Sequence, residues 1–224
     1  MTNVIVATSK VSNGSMYNRH DMSDPDIIKN RSRFLEAQGI KIEQTTRAKI
    51  DYSREEYCSY IELTEADKNA GMTDDQATVA DALITTSLDH ALFLPIADCV
   101  GAILFDPTKQ VLMLSHLGRH SLEQNGGYKS VKYLQDTYGC HPADILVWLT
   151  PAPGKDIYPI WALDNKGMKE ATFEQLAAAG IIHENITDNP ADSTKDPEYF
   201  SYSEFLKGNR NEDGDHAMVA MMTK

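Results

Sequence analysis

A cysteine and a histidine in the middle of the chain, Cys99 and His116, are the residues best suited to chemistry. Apolar runs at 100–105 and 111–114 have strand length, and the Asp-Pro-Thr-Lys segment at 106–109 has the composition of a turn. The two runs predict a hairpin, in which Cys99 enters the first strand and His116 leaves the second. Because antiparallel pairing joins those two ends, we expect the thiol and the imidazole to be neighbours at the rim of a sheet.

Such a pair supports three interpretations. A thiolate and an imidazole can ligate a metal ion. A cysteine can be a nucleophile that a histidine activates. Free cysteine is also among the residues most often buried, so the two can be unrelated neighbours. Two features favour a functional site. Asp98 stands at a strand mouth, where a carboxylate has no packing role, and the segment 117–120 after His116 is a tight, polar exit from an apolar strand.

Five short motifs occur in a fixed order along the chain. They are ADALIT at 80–85, ADC at 97–99, SHLG at 115–118, WLTPA at 148–152 and YFSY at 199–202. This set resembles the YfiH family, also called the multicopper polyphenol oxidase or laccase-domain family, whose members include purine nucleoside phosphorylases and peptidoglycan editing factors. The resemblance implies an α-β-β-α sandwich, a zinc ion held by Cys99 and His116, and a purine nucleoside and phosphate as substrates.

The third metal-site histidine of that family has no counterpart here, because the segment 21–89 contains no histidine. The equivalent position falls near Asp51 or Tyr52. Three residues remain candidates for the third ligand. Asp51 offers a carboxylate, which is an accepted zinc donor. His120 would share a helical face with the first histidine, and Cys58 offers a second thiol.

Three basic positions of the family pattern are altered. Lys10 stands in place of an arginine in the first loop, and Ser203 in place of the arginine that follows YFSY. Arg119 and His120 stand where the family has Trp-Arg. A guanidinium is suited to clamp an anion because it presents five donors in a planar fork. We therefore predict that Lys10, Arg119 and His120 bind substrate or phosphate, with solvated surface positions as the alternative, and that Asp98 orients a ligand or takes a proton.

Composition limits the classes of partner. The 224 residues suit one domain, 1–224, and the formal net charge of −12 argues against nucleic acid, which needs a basic face. No apolar run approaches the roughly 18 residues that a membrane span needs. Three cysteines do not form a disulfide framework, and no signal-peptide pattern opens the sequence, so a cytoplasmic location is expected. The oligomeric state is left open.

Hydrophobic periodicity predicts an α/β (α+β) fold with mixed sheets. A helix is expected to begin after an Asp24 cap and to end at Gly39, and others at 121–138, broken near Gly126, and at 166–179. Strands are expected at 4–7, 41–50, 80–86, 90–96, 100–105, 111–114, 144–149, 156–163, 181–186 and 214–221. Consecutive strands without helices between 80 and 114 exclude a simple doubly wound parallel sheet.

Three functional hypotheses follow. The first is a zinc-dependent purine nucleoside phosphorylase with adenosine deamination as a side activity. The second is a hydrolase or deamidase that uses Cys99 as nucleophile and His116 as base. The third is a non-catalytic binding protein whose site has decayed. A copper polyphenol oxidase ranks below these, because one cysteine and a few histidines cannot supply the several copper sites that laccase chemistry needs.

Overall fold

The computed structural model describes residues 2–21 and 23–224. The strands are β1 (Asn3–Thr8), β2 (Thr45–Lys49), β3 (Tyr60–Glu62), β4 (Thr78–Val79), β5 (Ala82–Thr85), β6 (Ala91–Ile96), β7 (Val100–Asp106), β8 (Val111–Leu117), β9 (Leu146–Leu149), β10 (Ile186–Asp188) and β11 (His216–Thr223). The α-helices are α1 (Pro25–Ala37), α2 (Arg119–Glu123), α3 (Gly126–Tyr138), α4 (Met168–Ala178) and α5 (Tyr202–Leu206). Short 3-10 turns join several of them.

The strands form two mixed sheets. One has the order β1-β11-β6-β2-β4 and the other the order β10-β9-β7-β8-β5-β3. In the first sheet β2 runs parallel to β6, while β11 runs antiparallel to both of its neighbours. Strands β6, β7 and β8 are buried along their whole length, which explains their nearly continuous apolar sequences.

Three apolar clusters separate four layers. Phe34 and Leu35 of α1 pack with Phe93 on the outer face of the first sheet. A second cluster fills the space between the two sheets. A third lies between the outer face of the second sheet and α2, α3 and α4, where Leu134 and Leu176 are fully buried. The order of layers is α-β-β-α, as the family resemblance implied.

The predicted hairpin is confirmed as β7 and β8. Val100 lies opposite Leu117, and Gly101 lies opposite His116. Strand β8 is three residues longer than its apolar run, so His116 lies inside the strand and does not leave it. Its polar end remains in the ladder because the His116 N–H donates to the Asp81 carbonyl at 2.8 Å, beside β5.

Helix α1 begins and ends as the sequence signals require. The Asp24 carboxylate accepts a hydrogen bond from the Asp26 N–H at 2.9 Å, Pro25 occupies the first turn, and Gly39 follows with a φ of 74°. The helix at 121–138 is two helices, α2 and α3, because Asn125 adopts a left-handed conformation between them. Within the described residues, no helix combines the length and the apolar character that crossing a membrane requires.

Two strand predictions were wrong. The segment 156–163 forms bends and a 3-10 turn, with one isolated bridge between Ile160 and Lys166. Pro159 has no N–H to donate to a ladder, and left-handed Asp164 reverses the chain. The strand expected at 181–186 begins only at its last residue, as β10. A short helix, α5, begins at the end of the YFSY motif and was not among the predicted helices. The Ser201 hydroxyl caps it by accepting from the Glu204 N–H.

Candidate active site

A cavity of about 650 Å³ opens at the end of the two sheets where Cys99 and His116 lie. Its wall carries five tyrosines, Tyr17, Tyr52, Tyr57, Tyr158 and Tyr202, and five charged residues, Arg19, Lys49, Asp98, Arg119 and Asp215. Sites for small molecules have volumes of roughly 300–1,000 Å³ and combine apolar walls with a few convergent polar groups. This cavity fits that description.

Cys99 and His116 converge on one point. A Cβ built on Gly118 would lie 2.9 Å from the His116 Nε2 and 3.2 Å from the Cys99 Sγ. Gly118 thus leaves open the space that both reactive atoms face. The hairpin register produces this arrangement, because it places Gly101 opposite His116 and the thiol just before the first strand. The sequence prediction that the two side chains are neighbours is in agreement with this geometry.

His116 is buried and has no hydrogen-bond partner at either ring nitrogen. Burial lowers the pKa of its imidazole to about 4, and the negative charge of Asp81 opposes that shift. The Asp81 Oδ1 is also buried without a partner. Since Ala82 lies opposite Ser115 in the ladder, the next pair is Asp81 and His116, on one face of the sheet. A neutral imidazole with two free nitrogens is suited to ligate a metal at one nitrogen and to be oriented at the other.

The Cys99 side chain is partly exposed to the cavity. Burial raises the pKa of its thiol to about 12, and the charges of Asp98 and Asp215 add to that effect. The two reactive groups are therefore a neutral thiol and a neutral imidazole when no ion is bound. A cysteine nucleophile instead requires a lowered thiol pKa, usually beside a cationic group.

Asp98 occupies the turn before Cys99 with a φ of 66°, in the left-handed region that aspartate tolerates better than most residues. Its Oδ1 accepts from the Ser193 hydroxyl at 3.1 Å, and its Oδ2 accepts from the Ser203 N–H at 2.7 Å. Both oxygens thus tie the turn to the loop that follows β10 and to α5. Ser203, which stands in place of a family arginine, contributes its backbone to this contact.

The three candidates for a third ligand differ in position. The Asp51 Oδ1 accepts from the Ser53 N–H at 2.9 Å and from the Ser53 hydroxyl at 2.6 Å, and Asp51 is not part of the cavity wall. Cys58 also lies outside the wall. His120 is in the wall, but its ring stacks on Tyr57 with centroids 4.8 Å apart, and its Nδ1 lies 3.4 Å from a Glu123 oxygen.

Tyr52 takes the place beside the pair that sequence reasoning sought for a ligand. Its ring meets the His116 ring edge-on, with centroids 6.3 Å apart, and its hydroxyl lies close enough to lower the pKa of the Cys99 thiol by hydrogen bonding. The sequence pointed to this residue only through the comparison with the family motif, in which the position of the missing histidine falls near Asp51 or Tyr52. Composition favoured the carboxylate, but Tyr52, which is 61% exposed, is the residue of this turn that lines the cavity.

The predicted anion-binding residues do not lie together in the structure. Lys10 lies outside the cavity and forms an ion pair with Glu198 at 2.5 Å. Arg119 lies in the cavity wall, and its guanidinium is 3.1 Å from the His120 Nε2. Among the residues that the structure describes, no carboxylate pairs with Arg119, whereas Lys49 of the same wall pairs with Asp75.

The cavity wall also contains an ion pair, Arg19 with Asp215, which was not predicted from the sequence. The Arg19 guanidinium donates to the Asp215 Oδ1 at 2.9 Å and lies over the Tyr202 ring at 4.2 Å. Asp215 is buried, and burial raises the pKa of its carboxyl to about 6. Its one sequence signal is an acid directly before the last strand, which by itself is a common strand boundary.

The donor set fits a single ion. Cys99 and His116 offer a sulfur and an unpartnered nitrogen at one point, and the Tyr52 oxygen stands beside them. Zinc accepts sulfur, nitrogen and oxygen donors. In the described part of the chain, no cluster of three residues of the types His, Cys, Asp and Glu is placed to hold a metal. Cys99 and His116 are thus too few for the several copper sites of a laccase, and a zinc ion here would need the Tyr52 oxygen or water beside them.

Several solved structures share the fold, among them the following two. The Bacillus licheniformis hypothetical protein YfiH superposes with a TM-score of 0.83 at 18% identity, over 99% of this chain and 93% of that chain. YlmD from Geobacillus stearothermophilus superposes with a TM-score of 0.79 at 20% identity, over 100% of this chain and 92% of that chain. At these identities the likeness concerns the fold alone.

Sequence comparison identifies the family. The purine nucleoside phosphorylase YlmD of Bacillus subtilis (strain 168) is 23% identical over 141 residues, which are 63% of this chain and 50% of that protein. The chain thus matches about half the length of this curated relative. The profile of the multi-copper polyphenol oxidoreductase laccase family matches residues 10–163, which include the ADC and SHLG motifs. The chain belongs to the multi-copper polyphenol oxidoreductase laccase family.

Proposed function

We propose that the protein is a zinc-dependent purine nucleoside phosphorylase that cleaves inosine or adenosine with inorganic phosphate. The observation that carries this proposal is the convergence of Cys99 and His116, whose ring nitrogens have no partner, on one point of a cavity of about 650 Å³. The name of the Bacillus subtilis relative supports the choice of reaction.

Cys99 and His116 would hold the ion, with the Tyr52 hydroxyl as an oxygen donor beside the thiol. A bound zinc ion supplies Lewis acidity toward a substrate oxygen. Asp81 would orient His116, because the two residues face each other across β5 and β8 and each has an unpartnered buried atom. Outer partners of this kind fix the orientation of a ligating imidazole.

The tyrosines supply the surface for the purine. Five of them line the cavity, and two of these residues, Tyr52 and Tyr202, are 61% and 36% exposed. Every nucleobase has a π face, and stacking on an aromatic side chain contributes roughly 1–3 kcal/mol per base. The aromatic wall thus favours a nucleoside over a purely polar metabolite.

Arg119 is the best anchor for phosphate. It lies in the wall of the cavity without a carboxylate partner among the described residues, and a charge-assisted hydrogen bond to an anion is about twice as strong as a neutral one. His120, which contacts the guanidinium at 3.1 Å, would help to hold it in place. Lys10 forms an ion pair with Glu198 outside the cavity. It therefore serves as the control for a positive charge that does not bind phosphate.

The hydrolase alternative has less support. A nucleophilic cysteine needs a lowered thiol pKa, whereas burial, Asp98 and Asp215 raise that of Cys99 to about 12. The neutral state of His116, whose pKa burial lowers to about 4, supplies no cation to offset them. A metal-ligating role removes this conflict, since a bound ion would itself stabilise the thiolate.

The decisive experiment combines metal content with phosphorolysis. Protein purified without a metal-affinity tag is analysed for zinc and assayed with inosine and adenosine, with and without phosphate, as wild type, Cys99→Ala and Cys58→Ala. We expect about one zinc per chain and phosphate-dependent release of the base in the wild type. Both should be lost in Cys99→Ala and retained in Cys58→Ala, since Cys58 is a partly buried thiol outside the cavity.

Two outcomes would contradict the proposal. Absence of zinc from the wild type would remove the metal-dependent mechanism, and alkylation of Cys99 would then test the nucleophile hypothesis. Zinc without phosphate-dependent release of a base would point to a binding protein. Formation of inosine from adenosine without phosphate, measured in the same samples, reports deamination as a side activity.

A further inference from the structure

Asp215 lies beside the segment that carries the reactive thiol. Strand β11 pairs antiparallel with β6, and His216 lies opposite Ile96. The residue before His216 therefore lies alongside Ala97, at the start of the turn that leads to Cys99. Although Asp215 is far from these residues in sequence, the sheet brings its carboxyl into the same cavity.

One oxygen of Asp215 is available to a ligand. Its Oδ1 accepts from Arg19 at 2.9 Å, while no donor among the described residues reaches its Oδ2. The side chain is 8% exposed, and Oδ2 is not sealed from the cavity. Asp98, the other carboxylate of the wall, has both oxygens bonded, to Ser193 and Ser203. Asp215 is thus the carboxyl that can contact a bound molecule directly.

The pKa of Asp215 is raised toward neutral pH, so a fraction of the protein carries a proton on this carboxyl at pH 7. Burial raises its pKa to about 6, the charges of Asp213 and Asp98 act in the same direction, and the ion pair with Arg19 opposes them. The cavity wall also carries Cys99, Tyr52, His116, His120, Lys49 and Arg119. The pKa values of the Cys99 thiol and the Tyr52 phenol are raised, so both are neutral at pH 7. A general acid is most effective when its pKa lies near the working pH.

We propose, on the basis of the proposed phosphorolysis, that Asp215 is the general acid that protonates the purine as it leaves. A phosphate oxygen forms the bond to C1′ of the ribose while the bond from C1′ to N9 breaks. The electron pair of that bond passes into the purine ring, and N7 takes the proton of the Asp215 carboxyl. The products are ribose 1-phosphate, the neutral base and the Asp215 carboxylate, which regains its proton from water.

Arg19 acts in this step as a positioning residue. It holds Oδ1 at 2.9 Å and is itself fixed over the Tyr202 ring at 4.2 Å, so Oδ2 has a defined direction. Asp213 also contacts Arg19, at 3.3 Å, but lies outside the cavity. This makes Asp213 a matched control: it shares the same arginine and lacks access to the substrate.

The test compares inosine with 7-methylinosine, whose methylated imidazole ring already carries the charge that protonation at N7 would supply. For Asp215→Asn, which keeps an oxygen for Arg19, we expect kcat/KM for inosine to fall by about 100-fold or more. We expect kcat/KM for 7-methylinosine to stay within a few-fold of the wild type. Asp213→Asn removes one of the charges that raise the pKa of Asp215 but leaves the Asp215 carboxyl in place, so kcat/KM for inosine should change by no more than a few-fold. Zinc content should be the same in all three proteins.

An equal loss on both substrates, or no loss on inosine, would overturn the assignment of Asp215 while leaving the phosphorolysis intact. A wild type that cleaves neither substrate with phosphate would overturn the proposed function and the assignment with it. If Asp215→Asn does not fold, an isotope-effect measurement on the wild type alone still tests the role of Asp215. A solvent deuterium isotope effect on kcat/KM with inosine but not with 7-methylinosine supports the proton transfer, and equal effects refute it.

Discussion

Replacing Gly118 with alanine should separate the metal site from the stability of the fold. An added Cβ would lie 2.6 Å from the His116 Cε1 and 2.9 Å from its Nε2, where ordinary contacts begin at 3.4 Å. The imidazole would have to move by about 0.8 Å, the difference between 3.4 and 2.6 Å. The same Cβ would lie 3.2 Å from the Cys99 Sγ, so the new methyl group enters the space where the two donors converge.

The backbone itself tolerates the change. Gly118 has a φ of −79° and a ψ of 173°, which alanine adopts without strain. A glycine-to-alanine change at such a position stabilises a protein by about 0.4–1 kcal/mol through the unfolded state. Overpacking typically costs about 1–3 kcal/mol. The metal-free variant should therefore unfold within about 2–3 kcal/mol of the wild type.

Metal affinity should respond more strongly. Disturbing the orientation of a metal ligand typically lowers affinity about 10–100-fold, which is roughly 1.4–2.7 kcal/mol. Because the methyl group also occupies part of the binding space, we expect the upper end of that range. The assay is a zinc titration in competition with a chromophoric chelator, together with thermal unfolding in the presence and absence of zinc.

Gly167→Ala is the matched control. Gly167 is also the N-cap of a helix, with a φ of −73° and a ψ of 159°, and its added Cβ would meet only the exposed Lys155. The loss of a glycine cap is thus common to both variants, and the overlap with His116 and Cys99 is not. If Gly118→Ala bound zinc as tightly as Gly167→Ala, the reasoning that places an ion at this point would be refuted.

Three further changes test separate parts of the site. Arg119→Gln should raise KM for phosphate by about 10-fold or more, because a charge-assisted hydrogen bond is lost. Lys10→Gln should leave KM for phosphate unchanged, and equal effects of the two variants would argue against a local anion site. In metal-free protein, Asp98→Asn removes a charge that raises the pKa of Cys99, so more thiolate forms at a given pH and iodoacetamide should react faster; slower alkylation would contradict this. Thr150→Val removes the acceptor of a buried strand N–H bonded at 2.8 Å, which should lower the free energy of unfolding in urea by about 1–3 kcal/mol; an unchanged midpoint would show that the N–H finds another partner.

Local pattern was enough to predict the centre of the site. The two apolar runs around the turn at 106–109 are adjacent in sequence, so a hairpin was the simplest pairing and its register follows from the turn. Cys99 and His116 are neighbours as a result. The helix caps at Asp24 and Gly39 could be predicted for the same reason, since each depends on a few consecutive residues. The failed edge strand at 156–163 shows the limit, because an isolated bridge looks like a strand in sequence.

The tertiary structure decided what surrounds that pair. The sequence left the third position to Asp51, His120 or Cys58, whereas the turn at 51–54 brings the Tyr52 phenol beside the thiol. That turn is held by contacts distant in sequence, among them the hydrogen bonds of Arg54 and Ser59 to Asp81. No local periodicity encodes such contacts, because each side chain in an irregular loop is directed by its packing partners.

The same reason applies to Asp215. Only the pairing of β11 between β1 and β6 places the last strand beside the turn that carries Cys99. A pairing between strands more than a hundred residues apart is selected by the burial of a whole sheet face, not by a turn. The sequence by itself therefore determined the hairpin and the Cys99–His116 pair, and its family resemblance implied the layers. The assembled sheets alone determined which carboxyl, which arginine and which tyrosines share the cavity with that pair.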